Sequence, residues 1–158
     1  MTEPPADAAP PQVLLSAEEV RRRVRELAGE IARDHRGTEE LVCLGVLKGS
    51  VFFLVDLVRE LPLPVAVDFF QAASYGSGQE PGEVVLKKDV ELPLRGRDVL
   101  LVEDIVDTGH TVATLLALLR HRRPRSLRLC ALLDKPSRRE VEVPIDYLGF
   151  TIPDRFVV

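Results

Sequence analysis

The chain has 158 residues, with 21 lysines and arginines against 25 aspartates and glutamates and a formal net charge of −4. That length fits one domain with one core, and 46% apolar with 29% charged residues excludes wholesale disorder. No apolar run approaches the roughly 18 to 20 residues that cross a bilayer, and the first twelve residues lack the basic start and apolar stretch of a signal peptide, so a cytoplasmic protein without a membrane partner is expected.

Pro4, Pro5, Pro10 and Pro11 crowd the N-terminus, so residues 1–15 read as a flexible tail and residues 16–158 as the folded domain. Ser16-Ala17-Glu18-Glu19 fits a capping box, and Val20, Val24, Leu27 and Ile31 follow at helical spacing. Residues 41–46 then read as a buried strand, Lys48-Gly49-Ser50 as a turn, and residues 51–59 as a helix ended by Pro62 and Pro64. Residues 65–70 form a second strand. Residues 72–82, with Gly76, Gly78 and Gly82 and the single large side chain of Tyr75, read as either disordered or a mobile lid. Residues 84–90 can return as a hairpin strand. A third apolar strand spans 99–102; an acidic, glycine-containing turn and a helix with Val112, Leu115, Leu116 and Leu119 follow, then a fourth strand at 127–133. Continuous apolar strands separated by helices predict an α/β fold, a mostly parallel sheet flanked by helices.

Cys43 and Cys130 each lie inside an apolar run without metal or redox spacing, so buried, unpaired thiols are expected. The basic run from Arg120 to Arg125 reads as a helix C-terminus whose cations offset the dipole. With an acidic balance overall, a nucleic-acid partner is not expected.

In open parallel sheets, ligands bind beyond the carboxyl ends of strands. There the third strand delivers Glu103, Asp104 and Asp107, and Thr108-Gly109-His110-Thr111 opens a helix. Hydroxyls and successive N–H groups at a helix N-terminus can surround a phosphate. Glu103 and Asp104 can accept from a sugar diol or hold a divalent metal. Taken singly, each residue also has a plain structural explanation: a solvated acid, or a helix cap for Asp107.

The order strand, two acids, two apolar residues, Asp, Thr, Gly and a final Thr resembles the phosphoribosyl-pyrophosphate signature of the type I phosphoribosyltransferases. Gly45-Val46-Leu47-Lys48-Gly49-Ser50, Val67-Asp68-Phe69 with Ser74-Tyr75-Gly76, Leu133-Asp134-Lys135-Pro136-Ser137-Arg138-Arg139, and the stretch from Gly149 through Phe156-Val157-Val158 resemble the hypoxanthine-guanine branch. The resemblance implies that family's sheet with a small hood region, and transfer of the 5-phosphoribosyl group from phosphoribosyl pyrophosphate to a 6-oxopurine with Mg2+ as cofactor. It implies Asp107 as the general base near N7, Glu103 and Asp104 on the ribose hydroxyls beside the metal, and Thr108, Gly109, His110 and Thr111 around the 5-phosphate. Lys48 and Gly49 would bind pyrophosphate, with a Leu47–Lys48 peptide that can be cis. Ser74 and Tyr75 would belong to the lid, Lys135 would donate to O6, Phe156 would stack on the base, and Val157 would meet its edge. For Phe156, core packing is the alternative; for Lys48, a solvent-facing loop. A homodimer or homotetramer is also implied.

The family pattern continues past Val-Val into a Gly-Tyr turn, an acid, an arginine and a closing strand, which these 158 residues do not include. Three expectations stay open: a truncated gene product, a chain that continues beyond these residues, or activity that survives with a thinner pyrophosphate site. Two other readings stand beside the enzyme: an RNA-binding regulator of the same fold, and a nucleotide-binding domain without turnover.

Overall fold

The computed structural model describes residues 12–74 and 84–157. Most of the expected N-terminal tail, and Tyr75 of the expected lid, lie outside these residues. Among the described residues six strands form one sheet: β1 Leu41–Leu47, β2 Val65–Ser74, β3 Val84–Lys88, β4 Asp98–Val106, β5 Ser126–Asp134 and β6 Tyr147–Thr151. Their order is β3-β2-β1-β4-β5-β6. All neighbours are parallel except β2 and β3. Helices α1 Ala17–Asp34 and α2 Val51–Glu60 cover one face, and α3 His110–His121 covers the other. The α/β expectation holds.

The period-two alternation of a strand explains the two cores. Along β1, Leu41 and Cys43 join Leu27, Ile31, Leu54 and Leu57 of α1 and α2, while Val42, Leu44 and Val46 join Leu115 and Leu119 of α3. The same division recurs in β4, where Leu100 and Val102 face α1 and α2 and Val99 and Leu101 face α3. Both cysteines are buried and unpaired in the first of these layers.

The start of α1 follows its sequence signal. Ser16 Oγ accepts from the Glu19 N–H at 3.2 Å, and Glu19 accepts from the Ser16 N–H at 2.8 Å, completing the capping box. At the other end of the chain, Arg23 of α1 reaches β6, with Nη2 donating to the Leu148 carbonyl at 2.7 Å and Nε to that of Gly149 at 3.2 Å.

The larger departures from the sequence reading are in β4, β2 and β6. β4 runs four residues past its predicted end because its ladder with β5 continues to Val106, opposite Asp134. Glu103 and Asp104 are therefore strand residues, and the turn begins at Asp107. β2 likewise extends to Ser74 through its pairing with β3. β6 was not expected, since Gly149 in its middle weakens a strand signal. That glycine is what lets β6 approach β5: a Cβ there would meet the Leu132 carbonyl carbon at 3.0 Å.

Candidate active site

Strands β1 and β4 are neighbours, yet their crossovers leave on opposite faces, through α2 and α3. Such a switch point opens a crevice at the carboxyl ends of the two strands. A cavity of about 220 Å³ lies there, lined by Val46, Glu103, Asp104, Ile105, Asp107, Thr108, Gly109, Thr111 and Val112. Six residues singled out in the sequence thus line one cavity.

Each wall has a local cause. Gly109 is the N-cap of α3 with φ +93°, a left-handed conformation that favours glycine, and its missing Cβ makes room for the backbone of Val141. No side chain caps the first turn of α3, and that turn has no acidic residue. Its N–H groups and the positive end of its dipole suit an anion. Asp107 precedes the cap and does not fill that position, so the capping explanation fails.

Glu103 is only 7% exposed. Burial pushes its carboxyl well above the usual carboxylate range, and the neighbouring Asp104 adds to the shift. The Ile105 N–H donates to Asp104 Oδ1 at 2.9 Å, which orients that side chain. A buried carboxyl beside a second, half-buried one is relieved by a cation or by hydroxyl donors. Among the described residues, no group of three His, Cys, Asp or Glu gathers around a point. Two hard carboxylates of this kind fit a divalent cation such as magnesium that would complete its shell with other oxygen ligands.

From β1, Lys48 and Gly49 are exposed and the Leu47–Lys48 peptide is cis. Gly49 packs on Asp104, so the loop after β1 and the acid of β4 meet across the crevice. Ser50 heads α2 without capping it, donating instead to the Val46 carbonyl at 2.8 Å.

Residues after β5 build a further wall beside the end of β4. The Lys135 N–H donates to the Val106 carbonyl at 3.0 Å, fixing this stretch to the end of β4. The Lys135 side chain is buried, with Nζ 3.9 Å from Oδ1 of Asp154. A 3₁₀ turn, Pro136–Arg138, then leads into a strap over the loop between β4 and α3. Glu140 and Val141 donate through their N–H groups to the Thr108 carbonyl at 2.9 and 3.0 Å. Arg139 donates from Nε to the Asp107 carbonyl at 3.1 Å and pairs with Asp134 in a nearly buried bridge.

Two expected residues, His110 and Phe156, are not among those that line the cavity. The His110 ring turns to Glu140, with Nε2 2.7 Å from Oε2, so at the cradle only its backbone is offered. Phe156 is 92% exposed, which rules out the core-packing alternative and leaves its ring face open. Val157 beside it is half-buried. Ser74 ends β2. The sequence reading gave no individual role to Arg138, Arg139 or Glu140, although the first two stood in a recognised motif; their contacts with Asp107, Asp134 and His110 are long-range and leave no periodic signal.

A model of the phosphoribosyl transferase domain matches residues 13–158. A hypoxanthine phosphoribosyltransferase of Salmonella typhimurium is 46% identical over 149 residues, covering 93% of this chain and 84% of that protein. A hypoxanthine-guanine phosphoribosyltransferase of Mycobacterium avium is 46% identical over 152 residues, covering 92% and 75%. Among solved structures, the hypoxanthine-guanine phosphoribosyltransferase of Bacillus anthracis superposes with a TM-score of 0.86 at 42% identity, covering 92% of this chain and 84% of that one.

Proposed function

Because the chain belongs to the phosphoribosyl transferase domain family, we propose how its residues carry out the family's chemistry. The reaction is purine salvage: the 5-phosphoribosyl group passes from phosphoribosyl pyrophosphate to N9 of hypoxanthine or guanine, giving IMP or GMP and pyrophosphate. The observation that carries the assignment of roles is the convergence of Glu103, Asp104, Asp107, Thr108, Gly109 and Thr111 on one cavity at the uncapped start of α3, with buried Lys135 tied to the adjoining end of β4.

The 5-phosphate is held by the N–H groups of the first turn of α3 and the hydroxyls of Thr108 and Thr111. Glu103 and Asp104 accept from the ribose hydroxyls and, between them, provide the carboxylates for magnesium. A magnesium ion held by Glu103 and Asp104 would supply charge neutralisation to the departing pyrophosphate. Lys48 and the Gly49 backbone face the pyrophosphate from the opposite side of the crevice.

The purine enters against Lys135, whose ammonium donates to O6. Adenine presents a donor there, so the same lysine rejects it. As the N9 lone pair forms the bond to C1 of the ribose and the C1–O bond to pyrophosphate breaks, the proton on N7 passes to the Asp107 carboxylate. Phe156 covers one face of the base and Val157 meets its edge. Ser74 belongs to the lid proposed for residues 74 and 75, which excludes water from the cation-like ribose.

The domain is proposed to comprise residues 16–158 and to act in the cytoplasm, a reading supported by its two buried free thiols. Self-association as a homodimer or homotetramer is supported by Phe52 and Val55, exposed one turn apart on α2, and by exposed Val67 of β2, which alternation places on the sheet face that α2 covers. The deciding experiment measures purine-dependent release of pyrophosphate from phosphoribosyl pyrophosphate with magnesium. Turnover with hypoxanthine or guanine and none with adenine is expected; no turnover with any 6-oxopurine overturns the reading.

A further inference from the structure

Arg138 has no part in the transfer as derived above, yet its guanidinium stands between two carboxylates on the purine side. Its Nε donates to Oδ1 of Asp107 at 3.2 Å and lies 4.0 Å from Oδ1 of Asp154. Nζ of Lys135 is 3.9 Å from that same Asp154 oxygen. Four charged groups therefore alternate in sign from contact to contact: Asp107, Arg138, Asp154 and Lys135. The two end members are the groups assigned to N7 and to O6.

The backbone under Arg138 is anchored while its side chain is not. Its N–H donates to the Lys135 carbonyl at 3.0 Å, and the next residue is held by Asp107 and Asp134. The guanidinium itself is half exposed, as are the carboxylates of Asp107 and Asp154. Ion pairs of this exposure contribute about 0 to 1 kcal/mol each, too little to matter for folding but easily exchanged. The 3.2 and 4.0 Å separations put one nitrogen within a short movement of either carboxylate.

We propose that Arg138 is a positioning residue that couples recognition of N7 to recognition of O6. Before the purine arrives, Arg138 holds the Asp107 carboxylate toward the cavity. When the N7–H takes over Asp107, the guanidinium passes to Asp154, and Asp154 releases the Lys135 ammonium to O6. No covalent bond is made or broken in this step; Arg138 passes from Asp107 to Asp154, and Lys135 from Asp154 to O6. The inference rests on the roles proposed above for Asp107 and Lys135.

The test is steady-state kinetics with hypoxanthine on the wild type, Arg138→Ala, Arg138→Lys, Asp154→Asn, Asp107→Asn and the double variants that combine Arg138→Ala with each aspartate change. A wild type without turnover defeats the proposed function and is thereby distinguished from failure of this inference. With an active wild type, Arg138→Ala is expected to lose about tenfold in kcat while KM for phosphoribosyl pyrophosphate stays within about twofold, and Arg138→Lys to recover most of the loss. Added to Asp107→Asn or to Asp154→Asn, Arg138→Ala is expected to cost less than about twofold more, because the partner it acts through is already gone. An unchanged kcat in Arg138→Ala, or a full tenfold loss in the Asp107→Asn background, overturns the proposal.

Discussion

Gly49 and Asp104 touch across the crevice: a Cβ built on Gly49 would meet the carboxyl carbon of Asp104 at 2.8 Å. The turn after β1 and the acid near the end of β4 are thereby held in fixed relation, although 54 positions of sequence lie between them. The residues proposed to grip pyrophosphate and ribose are thus one packed unit.

Gly49→Ala is therefore expected to displace the Asp104 carboxylate and raise KM for phosphoribosyl pyrophosphate by about tenfold or more, equivalent to about 1.4 kcal/mol of binding. Melting by circular dichroism, recorded beside the kinetics, should show only a small decrease, because the turn is exposed.

Asp107→Asn removes the proposed proton acceptor and preserves the shape of the side chain. Its kcat is expected to fall roughly 10² to 10⁴-fold, the range for loss of a general base. Thermal stability should change little, since the Asp107 side chain is half exposed and its only charged partner is Arg138 among the described residues.

Asp98, at the start of β4, governs behaviour in acid. Arg125, with the hydroxyls of Ser126 and Thr38, holds its carboxyl well below the usual carboxylate range despite burial. A carboxylate depressed in the fold stabilises fully above its unfolded pKa of about 3.9, and that contribution disappears as pH falls below this value toward the folded pKa. Urea unfolding at a series of pH values should show the loss below about pH 4 in the wild type. Asp98→Asn should be weaker by about 1 to 3 kcal/mol at neutral pH and show a flatter acid limb.

The two thiols should be silent in the native protein. Burial pushes Cys43 up to about 12 and Cys130 higher still. Titration with a thiol-reactive dye near pH 8 is expected to label neither cysteine until denaturant is added and then to label both; rapid labelling of the folded chain would contradict the burial.

Self-association is checked by light scattering. Phe52→Ser removes the large exposed ring on α2 and is expected to shift the assembly toward the monomer. An unchanged mass in a Phe52→Ser and Val55→Ser double variant would move the interface elsewhere.

The architecture was legible in the sequence because its signals are local. Apolar strands in β1 and β4, the Ser16 capping box and the apolar spacing of α3 each announce themselves within a few residues, and the acidic turn before α3 identifies the end of the sheet that carries the site. What escaped depends on distant partners. β6 was hidden by Gly149, whose purpose appears only when the Leu132 backbone is placed against it. The outward turn of His110 could not be foreseen because its partner, Glu140, is thirty positions away. The same holds for Arg138, whose neighbours Asp107 and Asp154 approach it only once β4, β5 and the strap are assembled.

The two hydrogen bonds from Arg23 to the carbonyls of Leu148 and Gly149 bear on how the chain is made. During synthesis, α1 leaves the ribosome long before β6 exists, and closing a loop of this length is slow and entropically costly. Until then the Arg23 guanidinium has only Glu26 and Glu30 of its own helix to engage, and the α1 face meant for β6 stays bare. Final docking of that helix therefore waits for nearly the whole chain, so a nascent product stopped before Tyr147 would be a target for proteases and chaperones.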